Sequence, residues 1–85
     1  MVIKVGTEKD PGKRLRERQG KKIREARHIR KMSASALAEA VGVTESAVIH
    51  WETGRFTPRQ QMQIKIARAL DVPWSFLFAL DGEVA

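Results

Sequence analysis

Cysteine is absent from this sequence of 85 residues. Its absence excludes a disulfide framework, a thiolate zinc site and a cysteine nucleophile. The two histidines, His28 and His50, are too few for a metal centre built from histidine alone. We therefore expect no metal and no other cofactor.

Long apolar segments and catalytic motifs are also missing. No apolar run approaches the roughly 20 residues of a membrane-spanning helix. Lys4 interrupts the apolar start of the chain, which differs from a secretory signal. The serines lack a plausible catalytic base, and no glycine-rich phosphate loop is present. The sequence indicates one small, soluble, cytoplasmic domain that is not an enzyme.

The charge is distributed asymmetrically. Sixteen Lys and Arg residues stand against ten Asp and Glu residues, for a net charge of +6. Residues 1–32 hold twelve of these bases and four of the acids, whereas residues 33–85 hold four bases and six acids. Positive potential at one end of a chain favours a polyanionic partner. A solvated, partly disordered tail is the alternative interpretation of the same run.

Hydrophobic periodicity and capping residues predict an all-α fold, a compact bundle of about five helices. Ser33 and Thr44 are predicted N-caps, and Gly42 is predicted to end the second helix. The predicted helices cover roughly Lys21–Lys31, Ala34–Val41, Glu45–Thr53 and Pro58–Leu70, followed by a short helix that carries Trp74, Leu77 and Phe78. An earlier start of the first helix is the alternative.

The predicted organisation is a basic arm at residues 1–19, a folded domain at 20–80 and a frayed tail at 81–85. The arm is expected to be flexible or partly helical, because Asp10-Pro11 favours a helix start whereas Gly12 and Gly20 oppose it. It has little apolar surface, so we expect an electrostatic accessory. A strand at residues 1–5 that pairs across a dimer is the alternative.

The second and third predicted helices are joined by only three residues, 42–44. Such a short connection forces a sharp crossing, as in a helix-turn-helix. Ala38 supplies the small residue that the crossing needs, and Val48 and Trp51 supply its apolar anchors. The helical wheel places polar residues and one isoleucine on the opposite side: Glu45, Ser46, Ile49, His50 and Thr53. An outward isoleucine suits contact with thymine methyl groups.

The segment SASALAEAVGVTESAVIHWETGR, residues 33–55, resembles the helix-turn-helix of the phage Cro and lambda-repressor family, also called the XRE family. The resemblance extends over about residues 21–78. Its most specific part is the spacing of six positions: Ala38, Gly42, Val48, Trp51, Glu52 and Gly54. It implies a bundle of about five helices that binds operator DNA and reads bases with its third helix.

The resemblance implies roles for individual residues. The implied base-reading positions are Glu45, Ser46, Ile49 and His50. The implied phosphate-contacting positions are Ser35, Thr44, Arg55, Thr57 and Arg59. An ion pair of Arg27 with Glu52 would tie the first helix to the third. One departure lies at the start of the second helix, where Ala34 and Ser35 stand in place of a common phosphate-contacting glutamine.

A further set of residues would strengthen binding through charge alone. We expect the basic run to approach the DNA backbone through Lys13, Arg14, Arg16, Arg18, Lys21 and Lys22.

Several residues also have a purely structural interpretation. Glu45 suits the first turn of a helix because of the helix dipole, and Ile49 could pack against a loop. Trp51 is expected in the core, with stacking on single-stranded nucleic acid as the alternative. The aromatic-rich segment Trp74–Phe78 is either core or a patch for a protein partner.

The sequence thus predicts a regulator of transcription that binds double-stranded operator DNA, with a homodimer forming at least on the DNA. We expect a phage or bacterial repressor that acts by occupying its operator. An antitoxin that uses the same domain and also binds a toxin is the alternative. An RNA-binding or membrane-surface module at residues 13–31 ranks lower, because that stretch lacks bulky aromatics and its arginines surround the helix.

Overall fold

The structure, a computed structural model, describes residues 10–79. These residues form five helices: α1 (Lys13–Ile29), α2 (Ala34–Val41), α3 (Glu45–Glu52), α4 (Gln60–Leu70) and α5 (Trp74–Phe78). No strand occurs within this range, and the predicted all-α bundle is confirmed. The predicted strand at residues 1–5 and the predicted frayed tail at 81–85 lie outside the described residues.

Local signals determine the bounds of α2 and α3. Ser33 Oγ accepts a hydrogen bond from the Ala36 N–H at 3.0 Å, and Thr44 Oγ1 accepts one from the Ala47 N–H at 3.2 Å. Each hydroxyl thereby accepts from an amide of the first helical turn, where the backbone leaves amides without intrahelical partners. Gly42 ends α2 with φ +80°, a left-handed conformation that glycine adopts without strain. These contacts produce the predicted three-residue turn.

The core lies where α3 packs on α1 and α2, with α4 against α2 and α5 closing the bundle against α1 and α4. Trp51 is only 8% exposed, which confirms its predicted place in the core. The largest fully buried side chains come from all five helices: Ile23, Leu37, Val48, Ile66, Leu70 and Leu77.

The start of α1 differs from the prediction. The helix begins at Lys13 and not near Lys21, which agrees with the partly helical alternative for the arm, and residues 13–19 belong to α1. Helix propensity counts against Gly20, but the packing of α1 on α3 requires a glycine there. A Cβ atom at residue 20 would overlap the backbone carbonyl oxygens of Trp51 and Glu52. The low propensity of glycine is therefore offset by a close helix crossing.

Polar contacts fasten the first two turns of α1 to the domain. Arg16 Nε donates a hydrogen bond to the Gly54 carbonyl at 2.8 Å, and the same guanidinium forms an ion pair with Asp10. The hydrogen bond from Arg16 holds the pKa of the Asp10 carboxyl below its ordinary value. Gln19 Nε2 donates to the Phe78 carbonyl at 3.2 Å, which links α1 to the end of α5.

α3 ends at Glu52, one residue before the predicted Thr53, and two other helix bounds also differ slightly from the prediction. α4 begins at Gln60 and not at Pro58, because Arg59 still has the extended conformation of an N-cap, with ψ 157°. α1 ends at Ile29 and not at Lys31, which has a left-handed φ of 54°. None of these differences moves a predicted site residue out of the surface around α3.

Candidate nucleic-acid interface

The two sides of α3 differ as the wheel predicts. Val48 is fully buried and Trp51 nearly so, and both fix the helix against the core. On the other side, Glu45, Ser46 and Ile49 are exposed, and Ile49 keeps 44% of its surface open. Single exposed apolar side chains are common on protein surfaces, and Ile29 and Ile64 are also exposed on other helices. The outward face of α3 thus combines polar groups with one apolar side chain, as the wheel predicts.

His50 is half-buried beside Phe56, a residue that the sequence analysis did not single out. Their rings meet edge to face, with centroids 5.4 Å apart and planes at 78°. The carbonyl of His50 also accepts the N–H of Arg55 at 2.9 Å, which folds the chain back after α3. Phe56 is 57% exposed, so it borders the same surface as His50. The sequence signal that could have identified Phe56 is its position as an aromatic residue just after the predicted end of the third helix.

The N-terminal ends of α2 and α3 carry two of the predicted phosphate contacts. Ser35 is exposed in the first turn of α2, and Thr44 is exposed at the start of α3. Thr44 Oγ1 already accepts from the Ala47 amide, but its hydroxyl proton can still be donated. The N-terminus of a helix also favours anions, because its free amides and its dipole point outward.

The loop between α3 and α4 carries the other three predicted phosphate-contacting residues. Arg55, Thr57 and Arg59 are all exposed, whereas Pro58 between them is buried. Gln63 fastens this loop, because its Nε2 donates to the Pro58 carbonyl at 3.0 Å. The Oε1 of Gln63 accepts the Trp74 indole N–H at 2.8 Å. One buried proline and one glutamine therefore hold the polar side chains of this loop outward.

Arg27 and Glu52 lie together as an ion pair between α1 and α3. Arg27 Nε and Nη2 donate to the two carboxylate oxygens of Glu52 at 2.7 and 2.9 Å, and Nη1 donates to the Met32 carbonyl at 2.9 Å. Their side chains are 11% and 7% exposed. The hydrogen bond with Glu52 raises the pKa of Arg27, so this guanidinium remains charged. The pair fixes the end of α3 to α1.

The six residues of the predicted basic set divide into two groups. Arg16 and Lys22 are half-buried: Arg16 binds Asp10 and the Gly54 carbonyl, and Lys22 Nζ lies 5.3 Å from the centre of the Phe76 ring. The other four are exposed on α1: Lys13, Arg14, Arg18 and Lys21.

The segment Trp74–Phe78 also divides into two groups. Leu77 and Phe78 are buried in the core, at 1% and 3% exposure. Trp74 and Phe76 remain exposed, at 42% and 40%. The core interpretation is confirmed for Leu77 and Phe78, and a patch for a protein partner stays a prediction.

A family model described as helix-turn-helix matches residues 21–77, which is 57 of the 85 residues. The chain belongs to the Cro/lambda-repressor-like helix-turn-helix family. It is therefore a DNA-binding regulator of the XRE type. No curated protein matches the sequence significantly. Within residues 10–79, no helix has both the length and the apolar character needed to cross a bilayer.

The family match leaves out the first eight residues of α1, Lys13–Gly20. This segment, which we call the α1 extension, comprises about two helical turns. Its contacts with Gly54 and Phe78 place it against both α3 and α5.

Proposed function

We propose that this protein binds a specific double-stranded operator sequence and represses transcription by occupying it. The observation that carries the proposal is the outward face of α3. That face presents hydrogen-bonding groups and an exposed isoleucine from a helix that Val48, Trp51 and the Arg27–Glu52 pair hold rigidly. A rigid helix with a mixed polar and apolar face fits the major groove, where each base pair displays a distinct pattern.

Each side chain of this face has a defined chemical role. Ser46 can donate to or accept from a base edge, and the imidazole of His50 can do either, according to which ring nitrogen faces the base. Ile49 would contact a thymine methyl group, and the Glu45 carboxylate would accept from a cytosine amino group. Phosphates repel the Glu45 carboxylate, unlike the other three side chains. Its binding to DNA is therefore favourable only if it accepts a hydrogen bond from a cytosine amino group.

Phosphate contacts on both sides of α3 would fix the register of the protein on the duplex. Ser35 and Thr44 supply hydroxyl donors at two helix N-termini, while Arg55, Thr57 and Arg59 supply donors from the next loop. None of these contacts distinguishes bases, but together they determine which base pairs face α3. Affinity would fall with rising salt as bound counterions compete for the phosphates.

Footprinting on the intergenic DNA beside the coding sequence tests this proposal. We expect protection of a short site that overlaps a promoter, and loss of transcription from that promoter in vitro as the site fills. A homodimer on DNA would protect two half-sites whose centres lie about 10 base pairs apart, or one helical turn. Protection of every sequence equally would contradict the proposal. The site of action would be the cytoplasm of a bacterium or an infected host.

An antitoxin role is a second candidate, favoured by the exposure of Trp74 and Phe76. Trp74 and Phe76 are two residues apart and lie on different sides of α5, beside Gln63 of α4 and Lys22 of α1. Each could anchor a protein partner on its own side, since aromatic residues are enriched at the centres of interfaces. A toxin-sized reading frame beside the gene, and rescue of growth by co-expression, would support this role. Alanine at both aromatics should then abolish rescue while operator binding persists.

A further inference from the structure

The α1 extension packs against the domain through close contacts with the end of α3. Besides the crossing at Gly20, a second glycine lies where the extension meets the turn after α3. A Cβ atom at Gly54 would lie 2.6 Å from Glu17 Cγ and 2.9 Å from both Glu17 Cα and its amide nitrogen. Two glycine contacts and the hydrogen bond from Arg16 therefore fix the extension in one position.

Three adjoining grooves meet at Thr53, the residue that ends α3. One lies between Ile49, Ala34 and Arg24, beside the base-reading face. The next, of about 500 Å³, is lined by Arg14, Glu17, Arg18, Lys21, Glu52 and Thr53. The third lies against Lys13, Arg16 and Arg55. We call their union the α1–α3 trough; Thr53 lines all three grooves, which extend from the base-reading face to the α1 extension.

The trough is strongly basic. Four exposed bases, spaced three or four residues apart, lie along one side of α1: Arg14, Arg18, Lys21 and Arg24. Residues with this spacing share one face of a helix. Two of the acids that reach the trough, Glu52 and Asp10, are bound by Arg27 and Arg16. Glu17 is the remaining acid, and its side chain lies against Gly54.

We propose that the α1–α3 trough is a phosphate-binding site for the DNA backbone that flanks the base pairs read by α3. The inference rests on the proposed function, because it places the duplex against α3. A strand that leaves the base-reading face beside Ile49 would pass Thr53 and enter the trough. The site differs from a mobile arm because its charges are fixed on a docked helix, so each charge faces a defined phosphate of one flank.

A matched pair of double variants tests the trough. Arg14→Gln with Lys21→Gln removes two exposed charges from the trough. Lys65→Gln with Arg68→Gln removes two exposed charges from α4, in a groove that shares no residue with it. Both variants change the net charge equally, so any long-range electrostatic effect is common to them. Circular dichroism and thermal melting should show both folded as the parent is.

The measured quantity is the slope of log affinity against log salt on an operator duplex. Each lost phosphate contact should reduce the slope by about 0.9, so the trough variant should lose about 1.8. Between 1 M and 0.15 M salt, this change corresponds to a roughly 30-fold weaker affinity at the lower salt. The α4 variant should retain the parental slope. Ethylation of the flanking phosphates should weaken the parent and leave the trough variant unaffected.

The outcomes distinguish the trough from the proposed function. The proposal that the trough binds phosphates would be overturned if the two double variants had equal slopes, even if the parent recognises an operator. A parent without sequence preference would overturn the proposed function. The trough would still be supported in that case if the difference in slope appeared on a random duplex.

Discussion

Alanine at Gly54, compared with alanine at Gly42, tests whether the α1 extension is packed against the end of α3. The two glycines have nearly the same left-handed conformation, with φ of +82° and +80°. An alanine in this conformation costs roughly 1–2 kcal/mol at either position. They differ in their surroundings, because a Cβ at Gly42 meets nothing within 4 Å, whereas one at Gly54 meets the backbone of Glu17. The comparison therefore cancels the backbone strain and isolates the contact.

At residue 54 the overlap of the new Cβ atom with Glu17 should cost about 1–3 kcal/mol beyond the backbone strain, the usual cost of inserting a methyl group into a packed site. Gly54→Ala should then lose about 2–5 kcal/mol of unfolding free energy, against about 1–2 kcal/mol for Gly42→Ala. In a domain of this size, each kcal/mol lowers Tm by about 4–8 °C. Urea and thermal denaturation, followed by circular dichroism, measure both losses. Equal losses would refute the packing of the α1 extension on α3.

Three further predictions concern the core, the ion pair and the loop after α3. Trp51→Ala should cost about 3–5 kcal/mol of unfolding free energy, and a variant that melts like the parent but fails to bind DNA would place Trp51 at the ligand instead. Removing Arg27 or Glu52 alone should cost about 3–5 kcal/mol of unfolding free energy, because the remaining charge is buried without its partner. Removing both should cost less than the sum of the two single losses, and additive losses in a double-mutant cycle would contradict the pairing. Phe56→Ala should relax the base preference at the position read by His50, whereas Phe56→Tyr, which keeps the ring, should not; equal preferences in both variants would show that the ring contact has no role in recognition.

The helix-turn-helix could be predicted from sequence because its determinants are local. Ser33 and Thr44 cap helices through amides three residues away, and Gly42 ends α2 within its own turn. The wheel of α3 also follows from eight consecutive residues, so the outward position of Ile49 needed no knowledge of the rest of the chain. The assignment of individual contacts to bases and phosphates came from the family resemblance and stays a prediction.

The start of α1 had one local signal, Asp10-Pro11, and its other determinants are distant in sequence. Gly20 lies against the backbone of Trp51, and Arg16 binds the carbonyl of residue 54. Neither contact leaves a signal within one helical turn, and local propensity points the other way. The same reason hid the α1–α3 trough, because it arises where separate elements meet.

Selection of binding sites from a library of randomised duplexes tests the central claim, that α3 reads DNA sequence, most directly. The parent should enrich one motif, and Ser46→Ala and His50→Ala should each change the preferred base at different positions, by about 1–3 kcal/mol for a good contact. Arg59→Ala should weaken all sequences alike and keep the parental motif. The claim that α3 reads DNA sequence would be contradicted if the parent enriched no motif, or if Ser46→Ala and His50→Ala both enriched the parental motif.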